Sequence, residues 1–396
     1  MPTRRAFLQS AAALLACGSR ASAEGNVEEL HRVMTTFLAE TRAAGASLAV
    51  MRGGKLVHTA GYGFADVAKG TPVRPDSLFR IASISKPITA VGVMQQVERG
   101  KVKLDDPVLK YVDLKPFVEP GKEADARIKD ITVRHCLQHS AGWDRDKSGD
   151  PIGMVRVMTE KLKTDGPPPV SAVIRFTLGR PLDFAPGERF AYSNVGYLLL
   201  GRVIEAASGR KYEEYIQKEV LEPIGITGMS LGRALPENRP AAEVRYHDPI
   251  GFRQPCIYPP RRGELVPLPD GVQNVEAYEA HGGWVSSAPD LVKFAAAFDD
   301  PKKCKLLSAD SIKTMWERPA YEKGRGYYAL GWTVRPVGDD GKANAGHGGA
   351  LSPGCSTSLV HKADGTNWAV LFNQFRGADG KVLANEADQR LAAAAW

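Results

Sequence analysis

The sequence predicts a mixed α/β (α+β) fold: an antiparallel sheet built from both ends of the chain, flanked by helices, with a mostly helical domain inserted between its halves. Three observations carry this. Short strand-like stretches bounded by glycine turns gather at 47–61 and again at 327–372. Stretches of helical period fill the region between, joined by loops such as Asp165-Gly166-Pro167-Pro168-Pro169. With 396 residues, 43% hydrophobic and 24% charged, the chain can bury one large domain or two closely packed ones. That composition excludes a disordered or collagen-like chain. The absence of an uninterrupted apolar run of about 18 residues excludes a polytopic membrane protein.

Taken in order, residues 1–23 read as an export signal. Arg4-Arg5 precede a short apolar stretch from Ala6 to Ala16, and Ala21-Ser22-Ala23 offers the small residues that a signal peptidase accepts. The stretch is too short to span a bilayer. The expectation is twin-arginine export to the periplasm or the exterior. An alternative reading takes Leu14-Leu15-Ala16-Cys17 as a lipobox, with a lipid anchor on Cys17. The net charge is +7, and three of those charges are arginines of residues 1–23. The near-balanced remainder gives no electrostatic case for nucleic acid. Export implies an oxidising compartment. Cys136, Cys256, Cys304 and Cys355 permit three pairings or none, and no CxxC pair points to a metal.

Beyond the leader, Val27, Leu30, Val33, Met34, Phe37 and Leu38 give 27–43 a helical period. Residues 47–51 and 56–61 around Gly53-Gly54 form a hairpin, and 327–334, 356–361 and 368–372 read as strands. Helices are expected at 86–98, 132–139, 170–178, 195–207, 212–220 and 385–396. The sheet domain therefore takes 24–82 and 271–396. The helical domain takes 83–270, with 233–270 irregular.

The chemistry concentrates in three places. In Phe79-Arg80-Ile81-Ala82-Ser83-Ile84-Ser85-Lys86, Ser83 and Lys86 lie three apart and share one helical face, while Ser85 points elsewhere. A serine hydroxyl needs a base alongside, and a lysine serves once its site lowers its pKa. Ser-x-x-Lys recurs by chance, so the second and third segments matter. Tyr192-Ser193-Asn194 follows a Pro-Gly turn; Tyr192 could shuttle a proton, and Asn194 could fix Lys86 and a substrate carbonyl. Gly346-His347-Gly348-Gly349-Ala350 lies just before a strand, where glycine lets backbone approach a ligand and an N–H can serve an oxyanion.

Ser-x-x-Lys, Tyr-x-Asn and His-x-Gly in this order resemble the serine β-lactamase and penicillin-binding superfamily, near class C β-lactamases, D,D-carboxypeptidases and family VIII carboxylesterases. The resemblance implies a β-lactamase/transpeptidase-like fold and two-step acyl transfer without a cofactor or metal. It makes Ser83 the nucleophile and Lys86 with Tyr192 the proton-transfer pair. The backbone N–H groups of Ser83 and Ala350 become the oxyanion hole, with Asn194, His347 and Gly349 at the substrate. The lactamase Lys-Thr-Gly is here His347-Gly348-Gly349, which removes a fixed charge and a hydroxyl that would hold a β-lactam carboxylate. A small-molecule ester, or a small amide or peptide, is therefore the expected substrate. A β-lactamase or D-Ala-D-Ala carboxypeptidase is the alternative, and a catalytically silent peptidoglycan- or partner-binding module is a second. The sequence leaves the oligomeric state open.

Three other motifs read as structural. Gly228-Met229-Ser230-Leu231-Gly232 matches a nucleophile elbow but sits in loop-like surroundings. His281-Gly282-Gly283 leads into a helix start. His135 and His139 lie four apart on one expected helix and read as packing residues.

Overall fold

The computed structural model describes residues 21–338, 342–394 and 396. Arg4-Arg5, the apolar stretch and Cys17 lie outside the described residues. Strands are β1 (Gly45–Arg52), β2 (Lys55–Asp66), β3 (Thr71–Pro72), β4 (Phe79–Arg80), β5 (Ser230–Leu231), β6 (Arg253–Pro255), β7 (Leu265–Pro267), β8 (Trp284–Ser286), β9 (Tyr327–Tyr328), β10 (Thr333–Pro336), β11 (Ala343–Leu351), β12 (Cys355–His361) and β13 (Thr366–Phe372). The main sheet has eight strands in the order β3-β2-β1-β13-β12-β11-β10-β9, with antiparallel pairing throughout. Its strands thus come from both ends of the chain, as the sequence predicts.

One face of the sheet is covered by helices α1 (Ala21–Thr41) and α12 (Leu383–Ala393). Leu30, Met34 and Phe37 recur on one stripe of α1 and are buried with Val370, Phe372 and Leu391. The other face meets a much larger core that runs through the intervening helices α2 (Ser85–Glu98), α3 (Val133–Leu137), α5 (Val155–Leu162), α6 (Val170–Leu178), α7 (Asn194–Ser208), α8 (Tyr212–Tyr215), α9 (Glu279–Gly282), α10 (Ala288–Ala296) and α11 (Ala309–Met315), while the short α4 (Arg145–Ser148) buries none of its residues. Two of these elements position the site. Helix α2 is buried for most of its length, which rules out an amphipathic surface helix. Helix α7 packs beside it, with Leu198, Leu199, Val203 and Ile204 fully buried.

Several boundaries differ from expectation. The stretch 327–334 is two short strands, because a tight turn closed by Ala329 N–H donating to Trp332 O (2.8 Å) divides it, with Gly331 at φ +85°. Helix α3 stops at Leu137 because His139 adopts φ +55°, so His135 and His139 do not share a helix face. After α8 the chain winds as a π-helix over 216–221. Residues 346–350 lie inside β11, not ahead of it. Glycine has poor strand propensity, and pairing with β10 and β12 on either side overrides it. Ser230 lies in β5, paired to β8, with no helix following, so the geometry of a nucleophile elbow is absent there. Cys136, Cys256, Cys304 and Cys355 are unpaired thiols. Among the described residues no helix is long and apolar enough to cross a membrane.

Candidate active site

Ser83 is presented by a turn that the neighbouring strands hold from both sides. Strand β4 pairs with β8, and Ile81 N–H donates to Trp284 O (3.0 Å). Ala82 follows at φ +48°, an uncommon conformation for alanine that persists where surrounding structure imposes it. A single 3-10 turn, Ala82–Ile84, then leads into α2. Ala82 and Ile84 are buried, whereas Ser83 keeps part of its surface open. Ser85 turns away: its Oγ donates to Ala82 O (2.7 Å) and accepts from Trp284 N–H (3.2 Å).

One turn into α2, Lys86 is fully buried, and its Nζ has three partners: Ser83 Oγ at 2.9 Å, Asn194 Oδ1 at 2.8 Å and His281 O at 2.7 Å. Burial drives its pKa well below that of a free lysine; the Asp150 carboxylate pulls it back up in part, and Arg145 adds to the fall. Tyr192 donates from its hydroxyl to Ser83 Oγ (2.7 Å). Burial raises the Tyr192 pKa, so this phenol stays protonated near neutral pH. Ser83, Lys86, Tyr192 and Asn194 are thus brought into one hydrogen-bonded cluster.

The support beneath Tyr192 comes from His139. Their rings lie 4.1 Å apart, and His139 Nδ1 accepts from Ser193 N–H (3.2 Å) while His139 O accepts from Ala191 N–H (2.8 Å). His139 is therefore the packing residue expected, now with a defined task. His281 contributes its backbone carbonyl to Lys86. Strand β11 closes the third side: Gly349 lies against Ile81 and Ser83 so tightly that a Cβ there would come within 3.1 Å of Ser83 N. Ala350 follows it on the exposed side of the strand, in register with Ser356.

His347 departs from expectation. Its Nε2 accepts from Tyr328 O–H (2.9 Å), and its Nδ1 donates to Gly348 O (2.6 Å), so neither ring nitrogen is left for substrate. Burial pushes its pKa down to about 3, and Lys86 adds to the shift, which keeps the ring neutral.

Two contributors carry no motif in the sequence. Asp150 accepts at Oδ2 from Asn194 Nδ2 (2.6 Å). A carboxylate only accepts, so it fixes the amide with Oδ1 toward Lys86. Arg145 places its guanidinium 4.3 Å over the Tyr192 ring. Arg145 opens the four-residue helix α4 and Asp150 lies in the loop just after it, segments too short for spacing to give direction; only the N-cap character of Asp150 is visible locally.

A family described as Beta-lactamase matches residues 30–393. Esterase EstB of Burkholderia gladioli is 31% identical over 287 residues, covering 72% of this chain and 67% of its own. Penicillin-binding protein 4* of Bacillus subtilis (strain 168) is 25% identical, covering 83% of this chain and 67% of its own. Among solved structures, the octameric penicillin-binding protein homologue from Pyrococcus abyssi superposes with TM-score 0.68 at 28% identity, over 93% of this chain and 77% of that one.

Proposed function

The chain belongs to the beta-lactamase family, and from that premise we propose that it is a serine hydrolase that forms an acyl-enzyme on Ser83 and takes small esters, or small amides and peptides, as substrates. The observation that carries the mechanism is the contact set of Lys86 Nζ. Asn194 Oδ1 and His281 O can only accept, so they take the two N–H bonds of a neutral amine. The lone pair is then left for the third contact, the Ser83 hydroxyl. Ser83 Oγ attacks the substrate carbonyl carbon as its proton passes to Lys86. The backbone N–H groups of Ser83 and Ala350 receive the oxyanion, and Gly349 keeps the strand close enough for both to act. Tyr192 O–H protonates the departing oxygen or nitrogen, and the proton taken by Lys86 restores it. Water then repeats the sequence on the acyl-serine and releases the acid.

Substrate choice follows from His347. A neutral ring with both nitrogens engaged offers no charge-assisted bond to a β-lactam carboxylate at that strand. Side-by-side rates test this. A p-nitrophenyl ester is expected to turn over faster than nitrocefin or a D-Ala-D-Ala peptide, and faster nitrocefin hydrolysis would reverse the assignment.

The pH profile has a fixed sign. Lys86 must be neutral, so kcat/KM rises as pH rises through its depressed pKa. The Asp150 carboxylate holds that pKa up, so Asp150→Ala moves the acid limb to lower pH. The same change frees the Asn194 amide. The loss of a hydrogen bond to a charged group, about 1.5–3 kcal/mol, lowers kcat/KM by about 10- to 100-fold. A limb that stays in place while the rate falls would remove Asp150 from this role.

We also read residues 1–23 as a leader. N-terminal analysis of protein from its native host should find Glu24 first; a lipidated Cys17 would favour the lipobox instead.

A further inference from the structure

Arg80 stands three residues ahead of Ser83, and the irregular segment 233–270 supplies its partners. Strand β4 pairs with β8 on one side, with Arg80 opposite Val285. On the other side Leu78 N–H donates to Ala242 O (2.9 Å), and Val244 N–H donates to Leu78 O (3.0 Å). Arg80 N–H donates to the Tyr246 hydroxyl (2.8 Å), which donates in turn to Glu243 Oε1 (2.7 Å). The Arg80 guanidinium reaches two backbone carbonyls, Pro269 O from Nη1 (3.1 Å) and Arg233 O from Nη2 (2.8 Å), and lies 4.5 Å over the Tyr246 ring. Arg80, Glu243 and Tyr246 are all buried.

As an ion pair this arrangement is poor. Arg80 Nε stands 3.6 Å from Glu243 Oε1 and Arg239 Nε stands 4.0 Å from it, while Arg80 Nε and Glu243 Oε2 are buried without a hydrogen-bond partner. Charges buried in this way add little stability over apolar residues of the same volume. What the arrangement supplies is a fixed strand. Tyr246 holds Arg80 N–H, Trp284 O holds Ile81 N–H, Thr357 holds Ile81 O and Ser85 holds Ala82 O. Ala82 keeps φ +48° because its surroundings over-determine it, and the Ala82–Ser83 peptide carries the N–H assigned to the oxyanion. We propose that Arg80 is a positioning residue for Ser83: it locks β4 to the 233–270 segment and so holds the Ser83 hydroxyl and N–H in register with the substrate carbonyl. This rests on the serine hydrolase reading.

Two mild variants test it. Tyr246→Phe keeps the ring beneath the guanidinium and removes the acceptor of Arg80 N–H. Arg80→Lys keeps the charge and loses the fork that spans two carbonyls. In both, the backbone pairing of Leu78 with 242–244 remains. Active sites are counted by covalent titration with a fluorophosphonate, and turnover of p-nitrophenyl butyrate is expressed per titrated site. A small misplacement of reacting groups is costly, so kcat per site should fall about tenfold in each variant, with KM within about twofold of wild type. Leu391→Ala, in the core beneath α12, is the stability control: its melting temperature should fall while kcat per site stays at the wild-type value. Wild-type kcat per site in Tyr246→Phe and Arg80→Lys, whatever their melting temperatures, overturns the positioning role. So does an equal fall in Leu391→Ala, which would make rate follow stability alone. A wild-type protein that the fluorophosphonate does not label overturns the serine hydrolase reading, and the positioning role with it.

Discussion

Lys86→Ala is expected to lower kcat/KM on a p-nitrophenyl ester by about 10²–10⁴-fold, the usual contribution of a positioned general base. The amine meets Ser83 Oγ at 2.9 Å and is held there by two carbonyl oxygens, while the other group on that oxygen, the Tyr192 phenol, is kept protonated by burial. Alanine also leaves a void and two acceptors without a donor, which costs stability. Lys86→Met fills the space without a base and should be equally inactive, with a native far-UV spectrum. Lys86→Arg should not rescue either, because a guanidinium does not deprotonate near neutral pH. Retention of rate within about tenfold in folded Lys86→Met would assign the base to another group.

Gly349→Ala should be nearly as damaging, for a different reason. The Thr357 hydroxyl donates to Ile81 O (3.0 Å), tying β12 to the turn that carries Ser83. A Cβ on Gly349 would press into both of those oxygens, well inside van der Waals contact. Ile81 O is backbone, so either β11 or the Ser83 turn must shift. Overpacking of this kind costs about 1–3 kcal/mol, and losing one oxyanion donor costs about 10²–10³ in rate. Gly348→Ala is the control. Its Cβ would meet nothing nearer than Thr357 O at 3.8 Å, so stability and rate should stay near wild type. Equal effects at the two positions would show that close approach to Ser83 is not what Gly349 provides.

The legible part of the site was the part encoded locally. Ser83 and Lys86 are three apart, and a helical turn alone brings their side chains together. Tyr192 and Asn194 lie on either side of the N-cap of α7, so a turn followed by an apolar helix announces them. The sheet was legible at β1 and β13, where buried apolar residues dominate, and at their hairpin partners β2 and β12, which short glycine turns join to them. What could not be read depends on neighbours. The glycines of β11 give no strand signal, and the strand exists because β10 and β12 flank it. Tyr328 takes up His347, and nothing near position 347 says so. Asp150 reaches Asn194 from 44 residues away in sequence, through a loop whose side chains have no periodic direction.

The most direct measurement is intact mass followed by peptide mapping after brief exposure to a slowly hydrolysed ester. The wild-type protein should gain one acyl group on the peptide containing Ser83, and Ser83→Ala should gain none. Acylation at another residue, or equal labelling of Ser83→Ala, would contradict the proposed chemistry.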